Sequence, residues 1–109
     1  MNARTVLLYG RSLLLSGVAA GLEMSPNLQV SRVTTWEEAS LLLVDCMPDV
    51  LIFDLSDTRE SHILPLLLKS PHPMMVGLDT EYNQAVLLSG RPARSLSLAQ
   101  LVTIVEQGG

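Results

Sequence analysis

The sequence is poor in the residues that build most catalytic and metal sites. It contains one cysteine, Cys46, two histidines, one tryptophan, two tyrosines and one phenylalanine. One cysteine cannot form an internal disulfide, and together with two histidines it does not make a zinc site. His62 and His72 have no acid and nucleophile pattern near them, so we predict no enzyme and no cofactor. The low cysteine count is typical of a reducing compartment, and we expect a cytoplasmic location.

Positive charge is also scarce. Seven Lys and Arg residues stand against eleven Asp and Glu residues, which gives a formal net charge of -4. Such a chain offers no basic stripe to neutralise phosphates, so we exclude direct nucleic-acid binding. A membrane span needs a run of about 20 apolar residues, which the sequence lacks. Arg11 interrupts the apolar segment 6–22, which favours a folded strand and helix over a cleaved leader.

Hydrophobic residues, by contrast, are plentiful. They make up 48% of the 109 residues, whereas charged residues make up 17%. The mean hydropathy is +0.34. These values are sufficient for a packed core and exclude disorder across the whole chain. The length sets one domain as the upper bound, so we predict that residues 1–109 form a single domain.

The first two thirds of the chain alternate between strand and helix patterns. Residues 5–9 and 49–53 are apolar runs of strand length, and residues 28–33 form a more exposed alternating strand. This alternation predicts an α/β sheet with right-handed parallel crossovers. The predicted helices run from the N-cap Ser12 to Met24, from the capping box of Thr35 and Glu38 to Cys46, and from about Glu60 to Lys69.

The last third of the chain departs from this alternation. Residues 74–78 and 85–88 have strand patterns, and only the segment 79–84 lies between them. A parallel crossover needs about a dozen residues, so we predict an antiparallel hairpin with Asp79 and Asn83 in its turn. A short edge strand around residues 93–95 precedes a final helix that opens at Ser97. The stripe predicted to be buried in that helix is Leu98, Leu101, Val102 and Val105.

Three segments of residues 6–55 share the pattern of a known family. They are residues 6–8 with 13–18, the sequence SPNLQV at 25–30, and PDVLIFDL at 48–55. With these segments the chain resembles the receiver domain of two-component response regulators. The resemblance implies a flavodoxin-like, three-layer α/β sandwich with parallel strands 1–3 and strand order 2-1-3-4-5. Here the fourth crossover helix is missing, and the C-terminal hairpin lies at the sheet edge.

The resemblance also implies a reactive site, of which this sequence retains one residue. Asp54 stands at the phosphoacceptor position. The family holds a divalent metal with an acidic pair at the positions of Tyr9 and Gly10, and neither residue carries a carboxylate. The phosphoryl-binding Thr or Ser and Lys have Leu78 and Ser89 as their nearest matches. We therefore predict a pseudo-receiver with a vestigial phosphoacceptor.

Several alternatives remain open for the acidic residues. Asp54 is either a polar residue that caps the following loop or a divergent phosphoacceptor, with Asp57 or Asp79 supplying metal ligands. Arg11 could also pair with Asp54 and replace the positive charge of the metal. Asp57 and Asp79 are either loop caps or ligands of a crude divalent-metal site. The chain could also bind a small ligand at the carboxyl edge of the sheet. In particular, Gly10–Ser12 could cradle an anion with its backbone N–H groups.

The absence of a second domain in these residues predicts action through another chain. The partner would be another signalling protein or a second copy, and we expect a homodimer. The missing helix predicts uncovered apolar surface, with the exposed sheet edge or the final helix as the contact region. Ala39, Leu42, Leu43 and Cys46 recur at helical spacing, which predicts that they form the buried face of the second helix, with Cys46 in the core. We expect Trp36 as a packing anchor, and His62 and His72 at the surface or at a helix end.

Overall fold

The computed structural model describes residues 4–56, 62, 65, 73–88, 94–96 and 98–107. The predicted helix from Glu60 to Lys69 lies outside these ranges apart from residues 62 and 65, which are both helical. The described helices are α1 (Leu13–Glu23), α2 (Trp36–Asp45) and α3 (Leu98–Gln107). The described strands are β1 (Arg4–Tyr9), β2 (Leu28–Val33), β3 (Val50–Asp54), β4 (Met74–Asp79), β5 (Gln84–Leu88) and β6 (Arg94–Leu96).

The strands form one mixed sheet in the order β2-β1-β3-β4-β5-β6. β1 pairs in parallel with β2 and β3, and β3 pairs in parallel with β4. β4, β5 and β6 then pair in antiparallel fashion. This confirms the predicted α/β fold with strand order 2-1-3-4-5, and β6 extends it by one short edge strand. The hairpin follows from chain length, because the segment between β4 and β5 is too short for a crossover helix.

Hydrophobic side chains pack on both faces of this sheet. Neighbouring residues of a strand point to opposite faces. Accordingly, Leu8 and Ile52 belong to a core cluster with α1 and α3, whereas Leu7 and Phe53 belong to a second cluster with α2. All four side chains are buried, and burial of each contributes about 1.5–3 kcal/mol. The sheet is thus the middle layer of three, and β1 and β3 lie at its centre.

The ends of α1 and α2 are set by the side chains that the sequence predicts as caps. The Ser12 hydroxyl accepts a hydrogen bond from the backbone N–H of Leu15 at 3.0 Å. At α2, the Thr35 hydroxyl accepts from the backbone N–H of Glu38 at 3.3 Å and donates to its carboxylate at 3.0 Å. Each cap provides partners for groups that a helix terminus leaves unpaired. None of the described helices is long and apolar enough to cross a membrane.

The turn between β4 and β5 is built by the two residues expected there. The Asp79 carboxylate accepts hydrogen bonds from the backbone N–H groups of Glu81 and Tyr82 at 3.1 and 3.3 Å. Asn83 adopts a φ of 57°, in the left-handed region that asparagine tolerates better than most residues. The turn therefore closes through local hydrogen bonds.

The α3 helix is hydrogen-bonded to residues from the N-terminal part of the chain. Leu101 and Val105 are fully buried against the sheet, as the predicted stripe requires. The Arg4 guanidinium donates from Nε to the carbonyl oxygen of Val105 at 2.7 Å, and the Ser25 hydroxyl donates to the carboxylate of Glu106 at 2.9 Å. A cation near the last carbonyl groups of a helix is stabilising.

Gly77 provides the space that Leu55 occupies on β4. A Cβ atom at residue 77 would lie 2.5 Å from Cδ2 and 2.8 Å from Cγ of Leu55. Leu55 also donates its backbone N–H to the carbonyl oxygen of Leu78 at 3.0 Å. The main chain of Leu55 is therefore fixed, and its side chain must turn aside if residue 77 gains a methyl group.

We predict that Gly77→Ala lowers the free energy of unfolding by about 1–2 kcal/mol, because it overpacks this contact. In a Leu55→Ala background the same substitution should have an effect below about 0.5 kcal/mol, because the colliding atoms are gone. Urea denaturation of the four proteins of this double-mutant cycle measures both values. Equal effects in the two backgrounds would contradict the steric explanation.

Candidate functional site

Asp54 is the one charged residue that the described ranges bury. It ends the central strand β3, and its side chain has no exposed surface. The four apolar residues before it, VLIF at 50–53, are buried too. These residues fix the strand in the core, and Asp54, which follows them directly, is buried with them. A buried carboxylate is tolerated only where hydrogen-bond donors replace the lost water.

Those donors come from the turn between β1 and α1. Oδ2 of Asp54 accepts hydrogen bonds from the backbone N–H groups of Arg11 and Ser12, each at 3.1 Å. Oδ1 accepts a hydrogen bond from the Ser12 hydroxyl at 2.5 Å. Both carboxylate oxygens are therefore engaged. The carboxylate lies at the N-terminus of α1, where the unpaired N–H groups and the helix dipole favour negative charge.

Ser12 performs two tasks with one hydroxyl group. Its oxygen accepts from the Leu15 N–H as the N-cap of α1, and its hydrogen is donated to Asp54. A serine hydroxyl has one donor and two acceptor positions, so both bonds form at the same time. The start of α1 and the end of β3 are thereby joined across the carboxyl edge of the sheet.

Gly10 allows the turn to approach Asp54. Its φ is 141°, a conformation that side-chain-bearing residues rarely adopt. A Cβ atom at this position would lie 2.8 Å from Cγ of Asp54, closer still to its Oδ2 atom, and 3.2 Å from Cδ2 of Leu15. The Gly10 N–H donates to the carbonyl oxygen of Val33 at 3.2 Å, which holds the turn in place.

The residues around Asp54 do not fit the divalent cation that the family resemblance implies. Tyr9 is buried in the α2 cluster, and Gly10 has no side chain, so the positions of the acidic pair supply no carboxylate. Two backbone N–H groups and a hydroxyl hydrogen point at Asp54. These partial positive charges suit an anion and disfavour a cation.

Aromatic rings lie beside this turn on the α2 side of the sheet. Tyr9 meets Trp36 edge to face with a centroid distance of 5.5 Å. Trp36 stacks on His62 with centroids 4.4 Å apart and ring planes 4° apart. Trp36 is thus a packing anchor, as predicted. His62, which we predict at the surface or at a helix end, is helical and half-buried beside the indole ring.

The other predicted site residues do not gather around Asp54. Arg11 is exposed and reaches Asp54 through its backbone N–H group, so the pairing of its guanidinium with the carboxylate stays a prediction. Asp79 is used in the β4–β5 turn, and Asp57 lies outside the described residues. Within the described ranges, no three His, Cys, Asp or Glu side chains are placed to hold a metal ion. Cys46 is exposed, so its predicted core position is wrong.

The sequence identifies the residues of this site separately, but it does not predict the hydrogen bonds between them. The sequence allows Gly10–Ser12 to cradle an external anion, whereas in the described structure Arg11 and Ser12 of this segment donate to the carboxylate of Asp54. The described hydrogen bonds of Asp54 thus connect it to Arg11 and Ser12, which precede it by 43 and 42 positions. They do not connect it to the loop that follows it. The strand topology is the feature that could have indicated this contact, because β1 and β3 are parallel neighbours and their carboxyl ends lie side by side.

The resemblance to receiver domains covers residues 6–55 and concerns sequence patterns, whereas the hydrogen bonds of Asp54 are properties of the fold. Comparison with known proteins found no matching family model, no matching curated protein and no matching solved structure.

Proposed function

We propose that this chain is a receiver-like regulatory domain that is not phosphorylated and acts in the cytoplasm by binding another protein. One observation carries the proposal. The carboxylate at the phosphoacceptor position, Asp54, is fully buried, and both its oxygens are occupied by donors from residues 11 and 12. The sequence resemblance supplies the class of domain, and this geometry argues against the class's usual chemistry.

Phosphoryl transfer to an aspartate requires an accessible carboxylate oxygen. That oxygen attacks the phosphorus atom while the leaving group departs on the opposite side, and a metal and cationic groups stabilise the added negative charge. Before Asp54 could attack, the chain would have to break bonds to the Arg11 N–H, the Ser12 N–H or the Ser12 hydroxyl. A Cβ atom at residue 10 is already too large for the space beside Oδ2, and a phosphoryl group is larger.

In this proposal Asp54 has a structural role that replaces the lost chemistry. In a receiver, a change at the phosphoacceptor would alter the surface recognised by a partner. Here the same position is fixed by the hydrogen bonds that join Asp54 to Arg11 and Ser12, so the turn before α1 is held in one conformation. The domain would present a constant surface, and its regulation would depend on the amount or location of its partner.

Incubation with acetyl phosphate and Mg²⁺, followed by intact mass spectrometry, tests the proposal. We expect no phosphoryl adduct under conditions in which a competent receiver domain is modified. Ser12→Ala, which removes one donor from Oδ1, is a matched variant that loosens the carboxylate and should also remain unmodified, because no metal ligands are gained. Stoichiometric, Mg²⁺-dependent modification that Asp54→Asn abolishes would overturn the proposal in favour of a divergent phosphoacceptor.

A further inference from the structure

The outward face of α2 carries apolar side chains that the fold leaves in solvent. Leu41 is 64% exposed, Val44 71% and Met47, just beyond the helix, 72%. At 100° per residue, Leu41 and Val44 lie about 200° and 140° around the helix from Ala39, which is fully buried against the sheet. These two residues therefore point away from the core of their own domain. With Met47 they form what we call the α2 apolar stripe.

Negative charge borders this stripe, and the described residues place no ion pair beside it. Glu38 and Asp45 lie about 250° from Ala39, seven residues and about 10 Å apart along the helix. From residue 33 to residue 58 the sequence contains no Lys or Arg. Glu38 has a structural explanation, because it completes the capping box at the positive end of the helix. Glu38 and Asp45, which we call the acidic border, together favour a positively charged partner surface beside the stripe.

Asp45 has no such explanation. It is the last residue of α2, and the last turn contains no basic residue. A carboxylate at this end meets the negative end of the helix dipole, which is unfavourable. The described structure gives Asp45 no compensating ion pair, so the fold gains nothing from this charge. A cation brought by a partner would reverse the sign of its contribution.

A groove adjoins the acidic border on the side opposite the stripe. Its volume is about 430 Å³, and it lies between the C-terminal part of α2 and strands β1 and β2. Thr5, Leu7, Gln29, Ser31, Leu42 and Cys46 contribute to its walls. β2 is an edge strand, so the groove is open toward that edge. It is large enough for an apolar side chain from a partner.

Met47 adds a backbone observation to the same region. Its φ is 46°, in the left-handed region where a helix normally ends with glycine. A methionine there is strained, and its side chain is mostly exposed, so packing within the domain does not compensate for the strain. The sequence retains a large apolar side chain at the point where glycine would make a more stable helix end.

We propose that α2 binds a basic amphipathic helix of a partner protein. Apolar side chains of that helix would cover the α2 apolar stripe, and Lys or Arg side chains would pair with Glu38 and Asp45. A second copy fits less well, because antiparallel pairing of two α2 helices would place Asp45 of each against Glu37 and Glu38 of the other. The proposal deepens the protein-binding role proposed above and rests on it.

The probe for this site is a labelled synthetic peptide of about 18 residues. One face of its helix carries leucines at spacings of three and four residues, and lysines border that face. A matched peptide has glutamate in place of every lysine. Fluorescence anisotropy with the full chain should show saturable binding of the lysine peptide, weakened by salt as expected for exposed charges. The glutamate peptide should bind at least about tenfold more weakly.

Substitutions on α2 locate the binding surface. Leu41→Ser with Val44→Ser, and separately Asp45→Lys, should each weaken the lysine peptide by about tenfold or more. Leu13→Ser is the matched control, because Leu13 is 89% exposed on α1 in the opposite layer, and it should leave the affinity unchanged.

Met47→Gly separates a binding role from a structural one. It should raise the melting temperature by roughly 2–5 °C, because glycine relieves the backbone strain. The same substitution should weaken peptide binding by about threefold or more, because it removes part of the stripe. If Met47 served only in folding, its substitution would not raise the melting temperature and at the same time lower the affinity for the peptide.

The outcomes distinguish this inference from the proposed function. Equal binding of the lysine and glutamate peptides, or binding insensitive to the Leu41 and Val44 substitutions, overturns the α2 site. Concentration-dependent dimerisation in sedimentation that those substitutions abolish also overturns it, because the occupant is then a second copy. Phosphorylation of Asp54 in the acetyl phosphate experiment overturns the proposal that the domain is not phosphorylated. Peptide binding at α2 can still be measured independently of that result.

Discussion

Replacing Asp54 with alanine is expected to lower the free energy of unfolding by about 3–5 kcal/mol, the effect of removing one partner from a buried charged network. The substitution leaves the backbone N–H groups of Arg11 and Ser12 without their acceptor, and the Ser12 hydroxyl loses its acceptor as well. It also leaves an empty space, because the carboxylate is fully buried. Urea denaturation followed by circular dichroism measures the change.

Asparagine at the same position provides a graded test. Its carbonyl oxygen can replace Oδ2 and accept the two backbone N–H groups, while its amide group faces the Ser12 hydroxyl, which can rotate to accept. We therefore expect Asp54→Asn to lower the free energy of unfolding by only about 1–2 kcal/mol. Asp79→Asn is the control in an exposed turn, with an effect below about 0.5 kcal/mol, since asparagine forms the same turn. An alanine variant as stable as the parent would show that Asp54 has no structural role.

The second large effect is expected at Gly10. Gly10→Ala should lower the free energy of unfolding by about 3 kcal/mol or more, from backbone strain at a positive φ combined with overpacking. The new methyl group would collide with the buried carboxylate of Asp54 and press on Leu15. Thermal and urea unfolding measure the loss. If the variant is too unstable to purify, refolding in increasing concentrations of an osmolyte recovers a measurable transition.

Two comparisons isolate the cause at Gly10. Gly17→Ala places the same methyl group on α1 where no atom lies within 4 Å, and it should raise stability by about 0.5–1 kcal/mol, because alanine favours a helix. In an Asp54→Ala background the effect of Gly10→Ala should fall, because the colliding carboxylate is absent, while the backbone strain remains. Additive effects of the two substitutions would contradict the contact between Gly10 and Asp54.

Local chemistry accounts for the parts of the fold that the sequence predicted. Ser12 and Thr35 each satisfy backbone groups within three residues, so the starts of α1 and α2 need no tertiary information. The hairpin was predictable from the six residues of segment 79–84, because chain length forbids a parallel crossover there. Both inferences depend on neighbours in sequence, which a single sequence contains.

The two sides of α2 were predictable only in part. The run LLLV at 41–44 is apolar at every position, but the helical spacing of Ala39, Leu42 and Leu43 predicts the face that meets the sheet, and these three residues pack there. Only the placement of the helix shows that Cys46, predicted on the same face, lines a groove instead of the core, and that no other described part of the fold covers Leu41 and Val44. The prediction of uncovered apolar surface had its source in the missing fourth crossover helix, whereas the α2 apolar stripe lies elsewhere.

The sequence by itself determined the α/β class, the order of its elements, the capping residues and the position of Asp54 at the end of a buried strand. The tertiary structure decided what Asp54 does there. Its hydrogen-bond partners lie 42 and 43 residues away, and they become neighbours only when β1 and β3 pair in parallel. A carboxylate at a strand end is chemically the same whether it is open to a phosphoryl donor or closed by N–H groups. The long-range pairing that brings those groups to it decides between the two.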